Sequence, residues 1–457
     1  MANSKKPASS EPGLSELAEQ VQRRLLSIVT PSRRATLAFS GGVDSVVLLH
    51  LLIQTRRKLD FALSAIHVNH HLSSHAGDWA AFCSAVCKKN GIPLIVKNIQ
   101  VPRRSALGLE AAARALRYQA FAELDTDVLL LAHHLDDQAE TLLLNLLRGA
   151  GVSGAAGMPE MRAGRIAKGE GWVIARPLLD VPRAALMAYA KKYRLDWVED
   201  ESNVNTAFTR NYLRHEVLPV IARRFPAYRQ TLARAAQHFA EADALLDELA
   251  TLDLADAVHA EKLQLAALSQ LTPARAKNLL RAYLELQGVP VLDAGRLQEW
   301  LRQLLTARAD SRVALGVAGL VLRRYRGQAW VELEMSAPAL DWQCDWHGEH
   351  ELELAALGGK LTLSPTQGTG ISLAKLQQEP VTIRLRQGGE KLKPSGNRPR
   401  KSLKHLLQEA AIPHWQRARL PLLYSGEQLV AVPGVGVDCA YHAASDEAAL
   451  QIGWQGI

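Results

Sequence analysis

Six consecutive residues, Ser40-Gly41-Gly42-Val43-Asp44-Ser45, bring together the groups that a phosphate site needs. Leu37, Ala38 and Phe39 before them form the apolar run of a buried strand, and residues 46–52 after them have the composition of a helix. Gly41 and Gly42 allow a turn that a Cβ would obstruct. Such a turn aims backbone N–H groups and the positive end of a helix dipole at one point. The hydroxyls of Ser40 and Ser45 add donors. Asp44 adds an anion, which beside phosphate requires a bridging cation, and Mg²⁺ is the expected one. The stretch has no lysine, so it is not the Gly-x-x-x-x-Gly-Lys-Ser/Thr loop. An ordinary glycine turn with Asp or Ser capping a helix is the competing reading.

A second concentration of chemistry, His133-His134-Leu135-Asp136-Asp137-Gln138-Ala139-Glu140-Thr141, follows a strand expected over 127–132. Asp136 and Glu140 are four apart and Asp137 and Glu140 three apart, so a helix starting here gathers them within about its first turn. Part of this is the usual preference for acids at a helix N-terminus. Three acids so close still repel one another unless a cation joins them, and either Mg²⁺ or a substrate ammonium would serve. Asn69 and His70 close an expected strand at 62–68 and would lie near a ligand, with packing as the alternative for the histidines. Glu110, Arg114 and Arg117 are spaced along one helix, for phosphate contact or for a surface ion-pair network. Arg210 and Arg214 share a helix face, where they either clamp phosphate or ribose or lock the end of the domain.

The elements that must hold these groups alternate. Strands at 62–68, 93–99, 127–132 and 172–175 interleave with helices at 14–29, 79–89, 108–118 and 182–193, the pattern of an α/β fold with a doubly wound parallel sheet. In such a sheet, ligands contact residues just beyond the carboxyl ends of strands. Residues 148–171 hold seven glycines with little periodicity and are expected to be a mobile connection. Residues 213–250 have helical character with breaks at Pro219 and Pro226, and 255–310 are rich in Ala and Leu at helical spacing. Residues 312–334 are more strand-like, and 340–457 alternate with glycine punctuation, as β structure does. A chain of 457 residues exceeds one core. The expected division is a disordered tail at 1–13, an α/β catalytic domain at 14–231, a mainly helical domain at 232–336 and a small β-rich basic domain at 337–457.

With 48% hydrophobic and 22% charged residues the chain falls in the soluble globular class. Its net charge is +8, and residues 380–420 carry ten basic side chains against Glu390 and Glu409, so the whole surplus resides there. A concentrated basic segment that includes Arg398, Arg400 and Lys401 points to a polyanionic partner, nucleic acid first, or to a solvated charged face. The four cysteines form no Cys-x-x-Cys pair and indicate a reducing compartment, and Cys83 and Cys87, one helical turn apart, are read as core. The polar start lacks an apolar signal core, and no stretch of about 18 apolar residues occurs, so a cytoplasmic protein with no membrane partner is expected.

Ser40-Gly41-Gly42-Val43-Asp44-Ser45 resembles the pyrophosphate loop of the N-type ATP pyrophosphatases. The order in which that loop is followed by His67-Val68-Asn69-His70, Glu110 to Arg114, Arg117-Tyr118, residues 132–141, Arg176-Pro177-Leu178-Leu179, Asp200 to Asn203, Arg210-Asn211 and Ile412-Pro413-His414-Trp415 is similar to the tRNA(Ile)-lysidine synthetase family over nearly the whole chain. The resemblance implies adenylation, by ATP, of C2 of the wobble cytidine in the CAU anticodon of isoleucine tRNA. Free L-lysine then displaces AMP to give lysidine. It implies ATP contacts by Ser40, Gly41, Gly42, Val43, Asp44, Ser45, Asn69 and Arg114, Mg²⁺ at Asp44, and catalytic roles for Asp44, Asp137 and Glu140. Substrate contacts fall to His133, Asp136, Asp137, Glu140, Arg210, Arg398, Arg400 and Lys401. A homodimer is left open. The rivals are another enzyme with the same loop, such as a tRNA thiolase, for which the cysteine pattern is wrong, and a noncatalytic RNA-binding protein on the same fold.

Overall fold

Residues 35–39 read Ala-Thr-Leu-Ala-Phe, and in a computed structural model their side chains alternate between two hydrophobic cores. The structure describes residues 14–30, 32–102, 108–163, 172–308, 311–397 and 399–456. The tail at 1–13, part of the glycine-rich connection (164–171) and Arg398 lie outside the described residues, as does the side chain of Glu110.

Among the described residues, strands β1 (Arg34–Ala38), β2 (Ala62–Asn69), β3 (Leu94–Asn98), β4 (Val128–Leu130), β5 (Met161–Ala163) and β6 (Val173–Ala175) form one sheet in the order β3-β2-β1-β4-β6-β5. All neighbours are parallel except β5, which runs antiparallel to β6. Helices α1 (Leu14–Ile28), α2 (Val43–Arg56), α3 (Ala76–Lys89), α4 (Leu109–Ala122), α5 (Leu135–Leu147), α6 (Val152–Ala155) and α7 (Arg183–Lys192) connect and cover it. Leu37, Leu63, Val128, Leu130 and Ala175 face a core built with Leu25 of α1, Val47 and Leu51 of α2 and Leu186 and Tyr189 of α7. The intervening Ile66, Leu129, Leu131 and Ile174 face a second core built with Phe121 of α4. This period of two, with helices on both faces, is why β1 is buried without interruption from Ala35 to Leu37.

The chain passes from β1 outward to β2 and β3, then returns across β1 to β4. Loops leaving the carboxyl ends of β1 and β4 therefore diverge from one crevice, the topological switch point where open α/β sheets bind ligands.

The connection, expected to be mobile, is structured over residues 148–163. It contains α6 and the edge strand β5, and Gln138 pins it by donating to Met158 O at 2.9 Å and accepting from Met158 N at 2.7 Å. Beyond α7, a helical stretch runs through α8 (Thr209–Tyr212), a π-turn at Leu213–Val217 and α9 (Leu218–Arg224), with Pro219 in the first turn of α9. Pro226 separates α9 from α10 (Tyr228–Ala257).

Two compact units divide between Leu246 and Asp247, within α10. In the second unit, helices α11 (Leu265–Gln270), α12 (Pro273–Leu286) and α13 (Ala294–Thr306) pack through Leu268, Leu280, Leu301 and Leu304 against an antiparallel sheet. That sheet includes the strands Ala314–Val317, Leu320–Tyr325 and Gln328–Leu333, which fall in the strand-like region of the sequence. Residues after 340 form further antiparallel sheets around Leu361, Ile383, Leu423 and Val430. No helix among the described residues is long and apolar enough to cross a membrane.

Candidate active site

The glycine turn after β1 is held by its own serines. Gly41 N donates to Ser45 Oγ at 3.1 Å and Gly42 N to Ser40 Oγ at 3.3 Å, while Ser45 Oγ donates to Gly42 O at 2.9 Å. Gly41 has φ +85°, and a Cβ there would stand 2.9 Å from Val198 Cγ2 and 3.0 Å from Cys83 Sγ, so this position admits glycine alone. Gly42 is the N-cap of α2, which places Val43 and Asp44 in its first turn. Asp44 Oδ1 is buried and has no hydrogen-bond partner.

Across the switch point, β4 leads into His133 and His134, and His134 caps α5. Its Nδ1 accepts from Asp137 N at 3.3 Å, and His134 N donates to Asp137 Oδ2 at 3.0 Å. The imidazole Nε2 of His134 lies 3.5 Å from Asp44 Oδ2 and 3.4 Å from Asp137 Oδ2. One buried histidine thus bridges the glycine loop and the acidic helix start. Burial lowers its pKa, but the carboxylates of Asp137, Asp44 and Asp136 outweigh that and hold it above the ordinary imidazole value. For Asp137, burial alone would raise the pKa, while His134, Arg210 and His133 bring it down to about 2. His133 is driven the other way by burial, reinforced by Arg176, Arg210 and Arg117, to about 3 despite the pull of Asp137; its Nδ1 has no partner.

The charge of the acidic cluster is met largely within the chain. Glu140, 1% exposed, accepts from Arg210 Nε at 2.9 Å and from Arg214 Nε at 2.6 Å and Nη2 at 2.8 Å. Arg210 Nη2 also donates to Asp137 Oδ1 at 3.1 Å. Asp136 accepts from Arg183 N at 3.0 Å and pairs with the Arg229 guanidinium. From the sequence alone Mg²⁺ or an ammonium is the expected counter-charge; these arginines supply it for Asp136 and Glu140. Arg210 and Arg214 face carboxylates here, where phosphate or ribose was one expectation. Arg229 was missed altogether, because nothing local links it to an acid 93 residues away.

Other expected site residues have mixed surroundings. Asn69 shapes the turn after β2, accepting from His71 N at 2.9 Å and donating to Ala76 O at 3.3 Å. His70 Nδ1 is buried without a partner, and burial and then Arg117 lower its pKa. Arg114 is exposed, with Cζ 5.1 Å from the Tyr118 ring centre. In the second unit Arg400 pairs with buried Asp438 at 3.3 Å and Lys401 with Glu409 at 2.8 Å, whereas exposed Lys391 and Lys404 have no carboxylate partner among the described residues. Cys83 and Cys87 are buried free thiols whose pKa values burial pushes up to about 12 and about 11.

Comparison with known proteins gives this arrangement a family. Residues 17–221 match the family model of a PP-loop domain, 263–330 that of a TilS substrate binding domain and 381–454 that of a TilS substrate C-terminal domain. A tRNA(Ile)-lysidine synthase of Nitrosomonas europaea is 43% identical over 93% of this chain and 93% of its own length. One of Ralstonia nicotianae is 42% identical over 88% of each chain, and one of Coxiella burnetii is 37% identical over 93% of this chain and 94% of its own. On identity of this order across nearly its whole length, the chain belongs to the tRNA(Ile)-lysidine synthase family.

Proposed function

We propose that this chain is an ATP-dependent carbon–nitrogen ligase that joins free lysine to C2 of the wobble cytidine in the CAU anticodon of isoleucine tRNA, through an adenylated tRNA intermediate with release of pyrophosphate and AMP. The observation that carries the reading is the His134 bridge between Asp44 of the phosphate loop and Asp137 of the acidic helix start, at 3.5 and 3.4 Å. It brings a nucleotide site and an amine site within reach of one reacting carbon, as in-line transfer between two bound substrates requires.

The loop from Ser40 to Ser45 and the N-terminus of α2 are assigned the ATP phosphates, with Asn69 at the end of the neighbouring β2; Arg114, turned to the Tyr118 ring, is not among them. The residues fit a hard cation: the unpartnered Oδ1 of Asp44 is a free anionic donor, and Mg²⁺ needs only one or two carboxylates when phosphates complete its shell. Bound there, Mg²⁺ would offset charge on the departing pyrophosphate. Asp137 holds the lysine ammonium. Its pKa of about 2 keeps it ionised but makes it a poor proton acceptor, so its part is electrostatic and not that of general base. Glu140, enclosed by two guanidiniums, positions Arg210 and Arg214, and Asp136 positions α7 and Arg229. His133 lines the cytidine side of the crevice. The second unit, Asp247–Ile457, holds the tRNA outside the anticodon through basic groups such as exposed Arg400 and half-buried Lys401. Buried Cys83 and Cys87, with raised pKa values, disfavour sulfur transfer by a thiolase.

The test is product analysis with the purified chain, ATP, lysine and an isoleucine tRNA bearing CAU. AMP and pyrophosphate should form only with the tRNA present, and lysidine only when lysine is added. ADP as the product, or equal AMP release without tRNA, contradicts the reading.

A further inference from the structure

We infer that Arg176 and Arg162, set about the Tyr118 ring at the carboxyl end of β6, form a phosphate site that takes a backbone phosphate of the RNA substrate, separate from the nucleotide loop. Arg176 is 1% exposed and among the largest fully buried side chains. Its Nη1 donates to Pro159 O at 2.6 Å, and its Nε has no acceptor. Arg162 lies on β5, one residue from the Met161–Ala175 pair, with Cζ 5.7 Å from the Tyr118 centre. Arg114 approaches the same ring at 5.1 Å and donates to the Tyr118 hydroxyl at 3.4 Å. Among the described residues no carboxylate pairs with Arg176 or Arg162; the nearest acids in sequence, Glu160 and Asp180, are both held by Arg24, at 2.8 Å each.

A guanidinium taken out of water without a counter-charge is strongly unfavourable, and here like charges are added beside it. Burial lowers the pKa of Arg176, and Arg162 and Arg114 add to that; Tyr118, hydrogen-bonded to the guanidinium, pulls the other way without restoring it. An arriving anion relieves this. The planar fork of arginine suits two phosphate oxygens, and a phenol between two guanidiniums holds them apart for that purpose.

The position favours RNA over ATP as the source of phosphate. The loop that holds ATP follows β1, whereas β6 and β5 lie two and three places along the sheet from β1, roughly 10 to 14 Å at the usual strand spacing. All three residues of β5 are exposed, so the site opens on the outer edge of the sheet. A strand with a phosphate at every nucleotide can reach both places.

This inference rests on the proposed tRNA substrate, and one titration separates the two. Binding of isoleucine tRNA to the wild-type chain is measured over a salt series, alongside the KM for ATP. If the wild type does not bind the tRNA, the proposed function fails. If it does, Arg162→Gln, at an exposed site that tolerates the change, should weaken tRNA binding about threefold to tenfold and reduce the salt slope by about 1, with the KM for ATP unchanged. Arg176→Gln should weaken it further, provided its melting temperature stays near that of the wild type; if that variant unfolds, Arg162→Gln alone decides. Unchanged tRNA affinity and slope in Arg162→Gln overturn the inference, as does a rise in the KM for ATP with tRNA binding intact, which would make the nucleotide the source of phosphate.

Discussion

The carboxyl ends of β4 and β6 are neighbours in one sheet, yet they treat charge in opposite ways. Beyond β4, Asp136, Asp137 and Glu140 meet Arg229, Arg210 and Arg214. Beyond β6, Arg176 and Arg162 meet no carboxylate among the described residues. A matched buried cluster contributes little net stability but fixes geometry, because each member is expensive to leave alone. An unmatched one marks where charge has to come from outside. Asp44, with one oxygen unpartnered, belongs to the second kind although it touches the first through His134. Frame and ligand sites can thus be separated by asking which charges are already answered, with Asp137, met by Arg210 and assigned the ammonium, standing between the two.

Breaking the matched cluster should have the largest effect. Glu140→Ala leaves half-buried Arg210 and Arg214 to share Asp137, and we expect a loss of about 3 kcal/mol in urea unfolding of the purified chain. A loss below about 1 kcal/mol would mean that water or rearrangement already compensates those arginines. Asp44→Asn tests the other kind of residue. Its stability should stay near wild type while the rate of AMP formation falls by about 100-fold to 1,000-fold, the scale set by removing one preorganised electrostatic contact. If melting temperature and rate fall together, Asp44 is part of the frame and the distinction collapses.

The same distinction explains how much could be read without coordinates. The strand, glycine turn and helix at 36–52 were legible because apolar runs and glycines are local signals, and so was the acidic start of α5. That ligands meet the carboxyl ends of strands followed from alternating elements, but the strand order that makes β1 and β4 the switch point did not. What answers the acids was not legible: Glu140 is paired with residues 70 and 74 positions away, and Arg210 had an equally good local reading as a phosphate clamp. The π-turn that carries Arg214 has no pattern of its own. Strand β5 escaped for a different reason. It is three residues long, exposed throughout and set among glycines, so neither length nor alternation announced it. Short edge strands take their stability from the neighbour they pair with, and that neighbour, β6, lies across the glycine-rich connection.

Acid should dismantle the matched cluster at a predictable place. Asp137 is held at about 2, below the value of about 4 for an unfolded aspartate, so its contribution is complete above pH 4 and fades as pH falls towards 2. Over that window the wild type should lose about 2 kcal/mol more than Asp137→Asn, read from urea midpoints at each pH. Parallel curves for the two proteins would show that Asp137 is not ionised preferentially in the folded state.

The smallest effect carries the comparison into the second unit. Lys401 lies 2.8 Å from Glu409, whereas Lys404, three residues on, is exposed with no carboxylate partner among the described residues. An exposed ion pair is weak, typically below about 1 kcal/mol, but its carboxylate stays beside the lysine and repels an approaching phosphate. Lys404→Gln should therefore weaken tRNA binding a few-fold and lower the salt slope by about 1, and Lys401→Gln should do less of both. Equal losses in the two variants would show that Lys401 leaves Glu409 when RNA arrives, and that pairing in the free chain does not tell which surface cations bind. A larger loss at Lys404 would extend to the surface the rule drawn from the buried site, that an unanswered charge is the one a ligand finds.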